Sequence, residues 1–218
     1  MLEGIRWPAL IAFGYVLGSI PFGYLIVRWM KGIDIRDYGS HNIGATNVLR
    51  VVGRGPALLT LLGDIAKGVA PPLLAASPWV SPNGVDHWLV VAAPLAAIAG
   101  HAYSAFFYIK ERQFARGKAV ATGLGAVIGF VASGQVAWQA LAIIAGVWFG
   151  TLLLPKLLTR RFGWVSLSSI LAAISMPLAF MLNHAPMPYV VFGVAPALFV
   201  VWKHKENLGR LADGQEPR

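Results

Sequence analysis

Seven apolar segments constrain the fold of this chain more than any other feature of its sequence. They cover residues 7–29, 56–76, 87–109, 119–134, 137–155, 165–183 and 188–202. Backbone N–H and C=O groups in lipid must hydrogen-bond within the spanning segment, and the strand-like alternation of a membrane barrel is absent. The sequence therefore predicts an all-α, polytopic helical bundle with seven transmembrane helices. The fourth and seventh segments are short for a straight span, so five spans with re-entrant segments are the main alternative.

The composition is that of an integral membrane protein. The chain has 218 residues, of which 57% are apolar and 12% charged, whereas a soluble domain has roughly 25% charged residues. The net charge of +9 sits at the ends of the apolar segments, so we expect membrane lipids and not nucleic acid as partners. Cys is absent and the His residues have no zinc-ligand spacing, so no cofactor or metal is expected. One integral-membrane domain is predicted over residues 1–218, without a predicted oligomeric state.

The basic residues predict how the chain is oriented. Alternate loops hold 16 of the 18 Lys and Arg residues, the opposite side has only Arg6, and Lys67 lies within a span. Because Lys and Arg concentrate in cytoplasmic loops, we expect the N-terminus outside, the C-terminus in the cytoplasm and an odd number of spans.

A polar loop on the basic side is the first candidate for a binding site. Its donors and glycines are Gly39, Ser40, Asn42, Gly44, Thr46, Asn47 and Arg50. Hydroxyls, amides and a guanidinium hold phosphate oxygens, while the two glycines permit close backbone approach and positive φ. Any one of these residues is also explained by a turn or a helix cap, but the set exceeds what one cap needs. The loop therefore predicts a site for an anionic substrate at the membrane surface.

Three ionisable residues lie inside apolar segments. Asp64 and Lys67 are spaced i, i+3 on one helical face, and His101 follows Gly100 in the third segment. Such groups are costly in lipid and usually face a cavity or a partner. Asp64 and Lys67 are predicted either to form an ion pair that stabilises the bundle or to present Lys67 to a substrate phosphate. His101 is predicted either as a structural group or as a proton acceptor.

Two further segments carry basic and polar groups. Residues 116–123 open the fourth apolar segment, where a helix N-terminus with Lys118 and Thr122 at i, i+4 suits phosphate. The alternative is a basic flank that obeys the positive-inside rule. In the tail, residues 203, 207 and 210 would share one face of a helix, and His204 and Asn207, at i, i+3, would face the same site. The alternative for the tail is contact with anionic lipid.

These motifs together are similar to the bacterial acyl-phosphate:glycerol-3-phosphate acyltransferase family of the inner membrane. The matching pieces are Gly18-Ser19-Ile20-Pro21-Phe22-Gly23, the loop from Gly39 to Arg50, Asp64-x-x-Lys67-Gly68, Gly100-His101, Gly117-Lys118-x-Val120-Ala121-Thr122, Thr159-Arg160 and His204-x-x-Asn207-x-x-Arg210-Leu211. They follow the family's order and cover nearly the whole chain. Two features depart from the family pattern. Arg116-Gly117-Lys118-Ala119 stands where Gly-Gly-Lys-Gly is usual, and the stretch before Lys118 is longer, with Glu111 in the extra segment.

The resemblance implies a multi-pass enzyme of the bacterial inner membrane, with its active site facing the cytoplasm. It implies transfer of a fatty acyl chain from acyl phosphate to the 1-hydroxyl of sn-glycerol 3-phosphate. The products are lysophosphatidic acid and phosphate, in the first step of membrane phospholipid synthesis. The family does not take acyl-CoA or acyl carrier protein directly as donor.

A hypothesis divides the site residues between the two substrates. We expect Ser40, Asn42, Thr46, Gly117, Lys118 and Thr122 to bind acyl phosphate. We expect Arg50, Lys67, His204, Asn207 and Arg210 to bind glycerol 3-phosphate. Gly39, Gly44, Asn47 and Asp64 are expected to support these groups. Either His101 or a substrate phosphate takes the hydroxyl proton.

Two other functions use the same residue types. A transporter or channel for a phosphorylated metabolite would also need basic and amide groups, but the loops predicted on the outer side are short and nearly uncharged. A scaffold that binds anionic lipid through its tail would leave Asp64, Lys67 and His101 unexplained.

Overall fold

The structure is a computed structural model that describes residues 3–112, 114, 117–159 and 163–216, without the side chains of residues 3, 4 and 159. Every regular element in these ranges is a helix, and they contain no strand. The prediction of an all-α fold is therefore confirmed. The chain forms two compact units, Met1–Ser133 and Gly134–Arg218.

Helices make up nearly all of the first unit. In its described part they are α1 (Glu3–Gly18), α2 (Phe22–Lys31), a 3₁₀ helix (Ile35–Asp37), α3 (Ala45–Val51), α4 (Arg54–Ala76), α5 (His87–Ala102), α6 (Ala105–Glu111) and α7 (Val120–Ala132). The main packing partners are α4 with α7 and α1 with α5, and α4 also packs on α5. The three ionisable residues predicted inside spans lie on α4 and α5.

The first predicted span is broken between α1 and α2. Pro21 lacks an N–H group, so carbonyl oxygens of the preceding turn lose helical partners. Ser104 Oγ donates to the carbonyl of Ser19 at 2.5 Å, and Lys67 Nζ donates to the carbonyl of Ile20 at 2.9 Å. Side chains from two other segments therefore satisfy the backbone at this break.

The third predicted span has a matching break between α5 and α6. Tyr15 Oη donates to the carbonyl of Tyr103 at 2.7 Å, and the N–H of Ala105 donates to Ser19 Oγ at 3.2 Å. Irregular backbone in a membrane protein needs partners from protein or water. The two breaks supply partners to each other, which places polar groups of α1, α4 and α5 close together.

Glycines let these helices touch through their backbones. A Cβ on Gly68 of α4 would overlap the carbonyl oxygen of Thr122 in α7, and one on Gly100 of α5 would overlap that of Tyr15 in α1. Small residues permit such close approach between membrane helices. Gly68 therefore allows α7 to approach α4 closely.

The second unit contains α8 (Trp138–Thr159), α9 (Val165–Leu182), α10 (Met187–Lys203) and α11 (Lys205–Ala212). Helix α9 packs against both α8 and α10. Helices α10 and α11 meet at His204 and are bent by 56° relative to each other. The tail is therefore a separate short helix and does not extend α10.

Five helical stretches among the described residues are long and apolar enough to cross a membrane. They are Ile5–Lys31, Arg54–Ala76, His87–Glu111, Trp138–Leu158 and Val165–Leu182, and the bent pair α10–α11 adds a sixth if it forms one span. The fourth predicted segment corresponds to α7, which has only 13 residues. At 1.5 Å per residue this helix is about 20 Å long, short of the roughly 30 Å hydrocarbon core. The protein is thus a multi-pass membrane protein with five or six spans by length.

Candidate active site

The polar loop of the first unit is organised by Asn47. Its side chain is buried, and its Oδ1 accepts the N–H of Ser40 at 2.8 Å. Its Nδ2 donates to the carbonyls of Tyr38 at 3.0 Å and Asn42 at 2.8 Å, with a longer bond to Ile35 at 3.3 Å. One carboxamide therefore fixes the path of the loop, as expected for a supporting residue.

The two loop glycines differ in conformation. Gly39 has φ +62°, and a Cβ there would overlap Asn47 Oδ1, so this position requires glycine. Gly44 has φ −80°, and the expectation of positive φ at Gly44 is wrong. The reason is local, because the N–H of Gly44 donates to Asn42 Oδ1 at 3.2 Å and the residue precedes α3 in extended form. His41 takes the positive φ instead, at +56°.

Three of the predicted phosphate ligands present free donors. Ser40, Thr46 and Arg50 are exposed, and within the described ranges their side chains make no hydrogen bond or ion pair. Thr46 and Arg50 are four residues apart on α3, so they lie on the same face of that helix. The loop thus holds its backbone rigid while leaving a hydroxyl and a guanidinium available to an anion.

Asp64 and Lys67 form the predicted i, i+3 ion pair on α4. Lys67 Nζ lies 2.8 Å from Asp64 Oδ1. Both side chains are almost fully buried, at 1% and 3% exposure. Lys67 also donates to the carbonyl of Ile20 at the α1–α2 break. The arrangement matches the structural alternative, and the binding of substrate by Lys67 stays a prediction.

His101 lies in the same buried cluster. Its Nδ1 is 3.5 Å from Asp64 Oδ1 and 3.3 Å from Thr122 Oγ1. The imidazole is 4% exposed. A carboxylate beside one ring nitrogen favours the proton on that nitrogen, which leaves the other nitrogen as the acceptor. Asp64 and Thr122 therefore hold the imidazole ring in one orientation.

The segment Gly117-Lys118 passes directly over the ring of His101. A Cβ on Gly117 would lie 3.0 Å from His101 Nε2 and 2.7 Å from its Cδ2. Lys118 is half-buried, and Ala119 has φ +57°, so α7 begins only at Val120. The expectation that Lys118 and Thr122 lie one helical turn apart is wrong, because Lys118 precedes the helix. Thr122 is fully buried and faces His101 instead of the helix entrance.

The predicted anion ligands of the second unit bind a carboxylate of the chain itself. Asn207 Nδ2 donates to Glu216 Oε1 at 2.6 Å, and Arg210 Nε donates to Glu216 Oε2 at 2.8 Å. Burial alone would raise the pKa of Glu216, but these two hydrogen bonds hold its pKa below the usual value. Asn207 and Arg210 thus each bind one oxygen of the same carboxylate in this structure.

His204 is placed differently from these two residues. Its Nδ1 bonds to the carbonyl of Val200 at 2.8 Å, and its side chain is buried at the α10–α11 bend. The expectation that residues 203, 207 and 210 share one helical face is wrong for Lys203, which belongs to α10. The bend separates it from Asn207 and Arg210 on α11. Arg116 and Arg160, named in the sequence motifs, lie outside the described residues, as does the side chain of Thr159.

Sequence reasoning missed four residues, namely Asp34, Arg36, Glu111 and Glu216. Arg36 pairs with Asp34 and Glu111, and Glu216 pairs with Asn207 and Arg210. The spacing Asp34-x-Arg36 is a local signal for the first contact, but Glu111 lies 75 residues from Arg36 and gives no such signal. No group of three or more His, Asp or Glu side chains that could hold a metal occurs in the described part of the chain.

These features define a multi-pass helical membrane protein whose polar groups are arranged for acid–base and anion chemistry. A family model described as glycerol-3-phosphate acyltransferase matches residues 8–214. The chain belongs to this glycerol-3-phosphate acyltransferase family. The family and the enzyme class predicted from the motifs, an acyltransferase, are confirmed.

Similar proteins and structures agree with this assignment. The chain is 43% identical over 209 residues to a glycerol-3-phosphate acyltransferase of Synechococcus sp. (strain CC9902), covering 96% of this chain and 93% of that one. It is 37% identical over 217 residues to the one from Gloeobacter violaceus, covering 98% and 97%. It is also similar to the crystal structure of PlsY (YgiH), an integral membrane glycerol 3-phosphate acyltransferase, in its glycerol 3-phosphate form. That match has a TM-score of 0.79 at 36% identity and covers 96% and 93% of the two chains.

Proposed function

We propose that this protein transfers a fatty acyl chain from acyl phosphate to the 1-hydroxyl of glycerol 3-phosphate. The products are lysophosphatidic acid and phosphate. Two crystal structures of PlsY, described as its glycerol 3-phosphate and lysophosphatidic acid forms, support the choice of acceptor and product. An acyl phosphate is a mixed anhydride with a good leaving group, and the chain has no Cys for a thioester intermediate. Direct transfer therefore needs binding, alignment and charge stabilisation more than a strong nucleophile.

The observation that carries this proposal is the contact between Gly117 and the ring of His101. The acceptor nitrogen of a candidate base lies beside the backbone that precedes Lys118, 3.0 Å from the Cβ position of Gly117. A phosphate held by Lys118 would then put the reacting carbonyl within reach of a hydroxyl that donates to His101. General-base transfer of this kind contributes typically about 10²- to 10⁴-fold to a rate.

Acyl phosphate is assigned to groups of the first unit. Ser40, Asn42 and Thr46 supply hydroxyl and amide donors from the polar loop, and Gly117, Lys118 and Thr122 complete the predicted set. Lys118 has the leading role in this assignment because an ammonium stabilises the negative charge that grows on the leaving phosphate. Thr122 acts through His101, since its hydroxyl lies 3.3 Å from Nδ1 and is fully buried.

Glycerol 3-phosphate is assigned to Arg50 of the first unit and, separately, to His204, Asn207 and Arg210 of the second. A phosphate at Asn207 and Arg210 would replace the Glu216 carboxylate, because both donors are engaged by it. Lys67 belongs to the same predicted set, and its direct contact with substrate would require separation of the pair with Asp64. Gly39, Gly44, Asn47 and Asp64 act as supporting residues.

The decisive assay uses the detergent-purified protein with palmitoyl phosphate and glycerol 3-phosphate and no added metal. Phosphate and lysophosphatidic acid should appear in equal amounts, and neither should form when one substrate is omitted. Lys118→Ala should lower kcat/KM by about 100-fold, while Lys31→Ala, which removes an exposed charge at the end of α2, should not. Phosphate without the lipid product would indicate a hydrolase, and full activity of Lys118→Ala would refute the phosphate site.

We further propose one domain over residues 1–218 with seven spans in the bacterial inner membrane, its N-terminus outside and its active site facing the cytoplasm. The 16-to-1 distribution of basic loop residues supports this orientation. The family model covers residues 8–214, and so parts of both compact units, which supports the single domain. Seven spans require α7 to cross the membrane although it has only 13 residues. A short span of this kind is accommodated where the bilayer is locally thinned.

The absence of Cys from the sequence allows a clean test of this topology. Single variants Asn83→Cys, Ala137→Cys and Asp213→Cys place thiols after α4, after α7 and after α11. A membrane-impermeant maleimide added to intact cells should label Asn83→Cys and Ala137→Cys but not Asp213→Cys. Protection of Ala137→Cys would indicate that α7 is re-entrant, and labelling of Asp213→Cys would reverse the orientation.

A further inference from the structure

The guanidinium of Arg36 is held between two carboxylates from distant parts of the first unit. Its Nη2 donates to Asp34 Oδ2 at 2.6 Å and to Glu111 Oε1 at 2.9 Å. Its Nη1 donates to Glu111 Oε2 at 2.6 Å, and its Nε donates to Asp34 Oδ1 at 3.0 Å. Both carboxylates are therefore bound through paired hydrogen bonds, the strongest geometry available to arginine. These three residues are named the Arg36 clamp.

The Arg36 clamp rests on a buried aromatic base. The guanidinium carbon lies 4.3 Å from the ring centre of Phe107 and 5.3 Å from that of Tyr24. Phe107 is fully buried in a small apolar cluster that also contains residues of the polar loop, such as Ile43 and Val48. Stacking and paired hydrogen bonds together leave the guanidinium one preferred orientation.

The charges of the clamp reinforce one another. The hydrogen bonds that Arg36 donates lower the pKa of Asp34, and acceptance of these bonds by Asp34 and Glu111 raises the pKa of Arg36. All three groups are consequently charged at neutral pH. The side chains are 21% to 28% exposed, so the three charged groups are part-buried. A part-buried network with paired hydrogen bonds holds the segments that carry its members in a fixed arrangement.

The positions of the three residues show which segments these are. Asp34 and Arg36 directly precede the polar loop of residues 39–50, whose organiser Asn47 hydrogen-bonds to Ile35 between them. Glu111 ends α6 and begins the connection to Lys118. One guanidinium therefore joins the residues that precede the 39–50 loop to the end of α6, six residues before Gly117 in the sequence.

We propose that Arg36 is a positioning residue that sets the spacing between the 39–50 loop and the Gly117-Lys118 segment. This inference rests on the proposed function, because it treats both segments as ligands of the acyl phosphate head group. Two sets of donors on separate segments bind one small anion well only when their spacing is fixed. Loss of the clamp then weakens acyl phosphate binding without removing any group that touches the substrate.

Kinetics of clamp variants test the proposal. Arg36→Ala and Glu111→Gln should each raise KM for palmitoyl phosphate by about tenfold, with KM for glycerol 3-phosphate changed by less than about twofold. The double variant should be no worse than either single one, because both remove the same link. Arg36→Lys keeps the charge but loses the fork and should behave like Arg36→Ala. Arg54→Ala removes an exposed charge that forms no ion pair with the described residues and should resemble the parent enzyme.

Hydrogen exchange gives a readout that does not depend on activity. Amides of residues 39–50 and of the segment from Glu111 to Lys118 should both exchange faster in Arg36→Ala and in Glu111→Gln, and not in Arg54→Ala. The proposal is overturned if Glu111→Gln leaves exchange in the 39–50 loop unchanged, or if the two single effects on KM add. Failure of the proposed function is distinguishable, because it would appear in the parent enzyme as phosphate release without lysophosphatidic acid.

Discussion

Gly117 lies so close to His101 that a Cβ at position 117 would overlap the His101 carbonyl oxygen and stand 2.7 Å from its ring carbon Cδ2. The segment that leads to Lys118 therefore holds the imidazole from one side, while Asp64 and Thr122 flank its Nδ1 from the other. The position of the candidate base thus depends on the absence of a side chain at residue 117.

Gly117→Ala should displace His101 and lower kcat by at least about tenfold, because small errors in the position of a catalytic group are costly. Steady-state kinetics with palmitoyl phosphate check this. Gly123→Ala is the matched control on α7, since its Cβ would meet only Ile98 Cδ1 at 4.0 Å. Equal activity of both variants would show that the contact with His101 has no part in catalysis.

His101→Ala should lower kcat by about 10²- to 10⁴-fold if the imidazole accepts the hydroxyl proton. Asp64→Asn should lower kcat by less than His101→Ala does, because the imidazole ring would remain but would lose the carboxylate that orients it. Turnover by each variant should be compared at saturating substrate, with thermal unfolding measured in parallel to detect misfolding. Near-normal turnover of a folded His101→Ala variant would transfer the role of base to a substrate phosphate.

Ala119→Gly should stabilise the protein by about 1 kcal/mol, because Ala119 has φ +57° and a Cβ in the left-handed region costs about that much. The family pattern has glycine at this position, which agrees with the backbone. Thermal unfolding in detergent should show a higher Tm. Ala121→Gly, two residues later inside α7, should lower the Tm instead, because glycine weakens a helix interior. A lower Tm for both variants would contradict the left-handed conformation.

Local periodicity explains which features were predictable from the sequence. The i, i+3 spacing of Asp64 and Lys67 determined their ion pair, because a helix places such residues on one face. The polar residues around Asn47 are also close to one another in the sequence. The hydrogen bonds of Asn47 agree with the supporting role expected for it. The apolar segments identified every long helix, since a membrane span has a compositional signature.

Contacts between distant segments were not predictable in the same way. The helix breaks at Ser19 and Tyr103 are joined by hydrogen bonds between residues 85 or more positions apart. No local sequence pattern indicates this pairing. Backbone conformation was equally hidden, since the positive φ falls on His41 rather than on Gly44. The start of α7 was hidden as well, because the left-handed conformation of Ala119 places it after Lys118.

Glu216→Gln is expected to change both stability and substrate binding in the second unit. The carboxylate accepts hydrogen bonds from Asn207 and Arg210, which keep its pKa below the ordinary value of 4.5. A lowered pKa in the folded state stabilises the protein above the unfolded-state pKa, and this contribution is lost as pH falls through the folded-state pKa. Thermal unfolding should therefore show the parent to be more stable than the variant by about 1–2 kcal/mol at pH 7. The two stabilities should converge below pH 4.5.

The same variant tests whether the Glu216 carboxylate and the substrate phosphate compete for the same two residues. If Asn207 and Arg210 bind glycerol 3-phosphate, the charged Glu216 competes for both donors, so Glu216→Gln should lower KM for glycerol 3-phosphate several-fold with kcat preserved. Glu206→Gln is the matched control, because Glu206 is an exposed carboxylate on the same helix. A raised KM for glycerol 3-phosphate in Glu216→Gln would mean that Glu216 holds Asn207 and Arg210 in the geometry that binds the substrate. An unchanged KM would remove Asn207 and Arg210 from the substrate site, because a competing charge would then have no effect.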